Sequence, residues 1–258
     1  MYKELIEQSL AEAKAARSEL TKEDGIIVGR LNKPDQGLYL SNYANCLLNR
    51  QLDIFDDSIF LLENDRTQSA CALSRGMIET HAFARLLNKK IEKILINQSG
   101  IDSVDKAIDT VLKFTNSSRF KKTEQEKIQK SVFDPNDYMF TEEAKYRFEN
   151  LLAVSQYVMS ALRELYTDEL EQTKHAESQF EMVYDLLSEH VHPSQTSIFH
   201  YYTPETHLIP TSVGNVHAYD AAKLQCARAL HFIVDAKNLH YWSSQLADEM
   251  TRRGKEKG

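Results

Sequence analysis

The chain has 258 residues, 42% of them hydrophobic and 27% charged, with a formal net charge of -7. This is enough apolar material for one substantial core, and the acidic balance excludes attraction to nucleic acid through overall charge. Only 8 Gly and 5 Pro occur, which excludes a turn-rich all-β fold and favours long helices with few connections.

The first helix is predicted over residues 2–20, an amphipathic, charged stretch without the apolar centre of a signal peptide. A connection from Gly25 to Gly37 follows. Leu40, Ala44, Leu47, Phe55, Ser58 and Leu62 then recur at helical spacing over about seven turns. Asp65 or Thr67 is a candidate cap for a third helix running to about Leu95. In it Ala70, Leu73, Met77, Thr80, Ala84, Leu87 and Ile91 alternate by three and four. Cys71, Ala72, Ile78, Ala82, Phe83 and Leu86 fill most of the remaining circumference. Only Ser74, His81, Arg85 and Asn88 form a polar stripe. A helix apolar on most sides belongs at the centre of a bundle, and Ser69, Ala72 and Gly76 are small enough for close helix approach.

Asn97 to Gly100 reads as a turn, and Ser103 as the cap of a short helix ending near Phe114. Residues 115–140 read as an irregular excursion. Its basic run, Lys113 to Lys130, reads as a solvated loop or a local nucleic-acid patch. Thr141 opens a helix carrying Ala144, Phe148, Leu151, Val158, Leu162 and Leu165, and another covers about 173–191 before Pro193. Residues 193–216 form a second excursion with a small β-hairpin near 197–212. A last helix spans about 217–250 on Ala222, Cys226, Ala229, Ile233, Ala236 and Leu246. The expectation is an all-α, single-domain, up-and-down bundle over 1–258, with 1–25 as its N-terminal helix.

Three chemical groupings stand out. Arg75 and Glu79 are four apart and share an apolar face of the third helix. Burying charge is costly unless it is paired, so the couple is either a structural ion pair or an anion-holding site. Ser188 and His192 are also four apart, at a helix end. There a histidine completes free carbonyls, or serves as a proton carrier or ligand beside Arg75 and Glu79. His190, His192, His200, His207 and His217 crowd the second excursion, yet no HExxH or carboxylate spacing accompanies them. No metal and no cofactor is expected. Cys46, Cys71 and Cys226 lie far apart without a CxxC and read as small buried hydrophobes. No run approaches the roughly 20 apolar residues of a membrane span, so no membrane partner and a cytoplasmic location are expected.

The string SACALSRGMIETHAFARLL resembles the signature helix of HEPN-like helical bundles, and YDLLSEHVHPS before a long final helix resembles their later motif. The likeness is closest to an uncharacterised bacterial branch with an R-x-x-x-E helix and a later S-x-x-x-H-P. It covers roughly residues 38–247. The resemblance implies a homodimer. It also implies two alternatives for activity. One is a metal-independent endoribonuclease of a toxin or phage-defence system, with Arg75 on the scissile phosphate and His81 or His192 moving the proton, Glu79 beside them. The other is a non-catalytic module that binds a partner protein, RNA or a nucleotide-like ligand through Arg75, Ser188 and His192. Arg75 and His81 have the five intervening residues that the ribonuclease motif allows, but lie about 120° apart on the helix wheel.

Overall fold

A computed structural model describes residues 2–25, 35–115, 158–194, 197–198 and 212–255. Among these residues the chain is helical and contains no strand. The helices are α1 (Tyr2–Ser18), α2 (Gln36–Glu63), α3 (Thr67–Asn97), α4 (Ile101–Thr115), α5 (Val158–Thr173), α6 (Gln179–Val191), α7 (Ser212–Leu230) and α8 (Ala236–Lys255). A 3₁₀ turn, His231–Asp235, joins the last two. No helix among the described residues is long and apolar enough to cross a membrane.

Helix α3 is the rod around which the rest is arranged. It packs against α2, α4, α5, α6, α7 and α8, and Ala70, Met77, Ile78 and Ile91 have no exposed surface. The three–four alternation of apolar residues predicted this interior position. The polar stripe behaves otherwise: it faces inward. Ser74 and Asn88 are fully buried and His81 is 3% exposed. Asn88 is matched by α8, donating from Nδ2 to the Leu239 carbonyl at 3.1 Å and accepting from Ser243 Oγ at 2.9 Å. Ser69 and Ala72, expected to permit close helix approach, are exposed. Gly76 sits at ordinary distance from Ile54.

The helix ends are set locally. Asp35 accepts from the N–H groups of Gly37 and Leu38 and so caps α2. Neither Asp65 nor Thr67 caps α3. Arg66 occupies the cap without a side-chain bond, and Asp65 takes φ 55 to turn the chain between α2 and α3. Ser103 donates to the Gly100 carbonyl at 2.6 Å within the first turn of α4. Helix α7 starts at Ser212 rather than near 217, and the 3₁₀ turn interrupts what periodicity alone reads as one helix. Of the expected hairpin near 197–212, Ser197 and Ile198 are helical and residue 212 opens α7; the rest lies outside the described residues. So do most of the 115–140 excursion and the helix start at Thr141.

A buried cluster draws on every described helix, from Ala13 in α1 through Leu162 and Leu187 to Met250 in α8. Each fully buried Leu or Ile contributes about 1.5–3 kcal/mol by leaving water. Cys71 of α3 and Cys226 of α7 sit in this seam with sulfurs 3.5 Å apart, both unexposed. Contact with Cys226 and burial push the Cys71 thiol up, away from the reactive thiolate. Cys46 is exposed. A chromogenic thiol reagent is therefore expected to titrate only Cys46 rapidly in the native protein, and all three cysteines in denaturant. Rapid native reaction of Cys71 or Cys226 would mean that the α3–α7 seam is open.

Candidate functional site

Two polar centres lie on different flanks of α3. The first joins α3 to α6. Arg75 Nε donates to Glu79 Oε1 at 3.1 Å, Arg75 Nη2 donates to the Tyr184 hydroxyl at 2.8 Å, and that hydroxyl donates to Glu79 Oε1 at 3.0 Å. The guanidinium also stands 4.8 Å from the Tyr184 ring centre. The Arg75 and Glu79 side chains are 20% and 18% exposed, so the couple is turned largely inward, and a second helix closes it. Beside Glu79, burial and the carboxylate push the Tyr184 hydroxyl up, which keeps it protonated and donating.

Tyr184 opens the string YDLLSEHVHPS, but nothing local marks its role, because its partners lie 109 and 105 residues away. Ser188 donates back to the Tyr184 carbonyl at 2.7 Å, one turn earlier on its own helix. His192 is exposed and ends α6, its backbone N–H reaching the Ser188 carbonyl. The described contacts bring Arg75 and Glu79 together, and neither Ser188 nor His192 joins them. His190 instead ties α6 to α3, its Nδ1 lying 2.9 Å from Gln68 Oε1.

The second centre is a groove of about 380 Å³ between α3, α5, the start of α6 and the 3₁₀ turn. His81 forms part of its lining, with Arg85, Asp168, Phe180, Arg228 and Asp235 among the others. The imidazole packs on Phe232 at 4.4 Å between ring centres, and Phe180 continues the aromatic wall at 4.8 Å. Its Nδ1 is buried and finds no hydrogen-bond partner among the described residues, and its Nε2 lies 3.9 Å from Asp235 Oδ2, beyond bonding range. Leaving such a group unpaired costs about 1–3 kcal/mol. Burial, with the Arg85 charge beside it, pulls the His81 pKa from 6.5 down to about 3, so the ring is neutral at physiological pH.

Most of the groove's carboxylates are occupied. Asp168 accepts from Arg85 at 3.1–3.2 Å and from Lys89 at 2.9 Å. Burial works against its charge, yet these two cations hold its carboxyl below the usual range. Glu169, 8% exposed, accepts from the Ser178 hydroxyl and from the N–H groups of Gln179 and Phe180. It thereby fixes α5 to the positive end of α6. No cluster of three or more His, Cys, Asp or Glu residues able to hold a metal occurs among the described residues.

A model of a family of unknown function, DUF5677, matches residues 41–207. No curated protein and no solved structure matches the chain.

Proposed function

Because the chain belongs to the DUF5677 family, whose function is unknown, we propose its role from its chemistry: a non-catalytic, HEPN-like helical module that binds a nucleotide-like ligand or a partner protein and does not cut RNA. A cytoplasmic homodimer is part of this reading. The observation that carries it is the commitment of Arg75. Its Nε and Nη2 are engaged by Glu79 and Tyr184, whereas ribonuclease chemistry needs a guanidinium aimed at a phosphate. The other half of the expected motif, His81, points elsewhere. It packs on Phe232 rather than beside Arg75, and a ring with a pKa of about 3 is a poor proton donor near neutrality.

The test is incubation of purified protein with total RNA in EDTA, beside Arg75→Ala and His81→Ala. No cleavage by any of the three is the expected result. Cleavage by the wild type that disappears in both variants would establish the endoribonuclease alternative and end this reading.

A further inference from the structure

We propose that the groove beside His81 binds a small molecule joining a flat, amino-bearing nitrogen heterocycle to one anionic group. The proposal rests on the reading of the chain as a binding module and names the ligand chemistry of that module.

The aromatic wall supplies the first half. Phe180 and Phe232 stand in contact with each other and with His81, and the half-buried Phe232 offers a face to a planar ring. The groove's 380 Å³ falls within the range of small-ligand pockets, about 300–1,000 Å³. At the inner end, a neutral imidazole carries one N–H and one acceptor nitrogen. The Asp235 carboxylate, its Oδ2 3.9 Å from Nε2, favours the proton on that nitrogen, so the two present one donor and one acceptor side by side, which suits a ring nitrogen with an amino group on the adjacent carbon. Asp235 Oδ1 already accepts from Asn238, which holds the carboxylate in place.

The rim supplies the second half. Arg228 is exposed, and among the described residues it reaches only Gln225 Oε1, at 3.5 Å, and has no ion pair. His231 is exposed beside it. Asp168 and Glu169 do not neutralise Arg228, because Lys89, Arg85 and the start of α6 already occupy them. An anionic group at this rim meets a guanidinium with free donors, which suits the planar oxygens of phosphate or carboxylate.

Calorimetric titration of the full chain with adenosine monophosphate, inosine monophosphate, adenosine and ribose phosphate tests each half. Adenosine monophosphate is expected to bind more tightly than the other three, since inosine monophosphate lacks the amino group, adenosine the anion and ribose phosphate the ring. Arg228→Ala, at an exposed position, is expected to weaken adenosine monophosphate roughly tenfold, the worth of one charge-assisted hydrogen bond, and to leave adenosine unchanged. His81→Phe keeps the ring packing and is expected to weaken both adenosine-containing probes by a similar factor while retaining the helical circular-dichroism spectrum. No binding of adenosine monophosphate at millimolar concentration would overturn the proposal. So would binding indifferent to both substitutions, although nucleotide binding elsewhere would leave the binding-module reading intact. Cleavage in the RNA assay would remove that reading independently.

Discussion

Between about pH 6.5 and about pH 5 the protein is expected to lose roughly 2 kcal/mol of stability, and His81→Phe is expected to abolish most of that loss. The cause is the buried imidazole, whose pKa falls from 6.5 to about 3 on folding. In this window the unfolded chain takes up a proton that the folded chain refuses. Stability is thus fully present above the unfolded value and drains away as pH falls towards the folded one. Each unit of that interval is worth about 1.4 kcal/mol. His240 is shifted in the same direction by burial and stays in both proteins, so a residual slope remains. Glu249, held down to about 2 by Arg252 and Arg253, withdraws its contribution only as pH drops below its ordinary 4.5. The window above that belongs to histidine. Urea denaturation at several pH values reads the effect, and equal slopes for wild type and His81→Phe would show that the ring is not held neutral.

The largest single-site effect is expected at Gly37, where α2 begins against α8. A methyl group there would overlap the Ala247 carbonyl oxygen and the Thr251 hydroxyl. Backbone cannot yield as a flexible side chain does. The same turn holds Asp35, which caps α2 and accepts from Thr251 Oγ1 at 2.8 Å, so a displaced α8 also loses that bond. Alanine is the better helix former by about 1 kcal/mol, but the overlap works the other way and is larger. Gly37→Ala is expected to cost about 3 kcal/mol, at the upper end of overpacking effects, and to lower Tm by roughly 6–12 °C. Gly254→Ala, in α8 with open space around it, should be neutral or slightly stabilising. Matching melting temperatures for the two variants would refute the close α2–α8 approach.

The apolar alternation of α3 shows in sequence because it repeats along one helix. The sense of its polar stripe does not. Ser74, His81 and Asn88 recur every seven residues, a pattern equally suited to a wet face or an internal seam. The choice is made by Ser243 and the Leu239 carbonyl, more than 150 residues later. For the same reason the Arg75–Glu79 couple is visible at a spacing of four while Tyr184, which completes it, is not. The groove escapes notice altogether, because Arg228 and Phe232 come from the end of α7 and a 3₁₀ turn that amphipathic periodicity reads straight through.

Helix α1 packs not on its neighbour in sequence alone but on α7 and the 3₁₀ turn, with Glu19 reaching Lys237 at 3.7 Å. During synthesis, therefore, α1 leaves the ribosome about 200 residues before its docking place does. At typical translation speeds that is a delay of roughly 10–40 s. Throughout it Ala13 of α1 and Leu20 just beyond it, both buried in the fold, are without their final cover, making this stretch of the nascent chain a natural client for a holding chaperone.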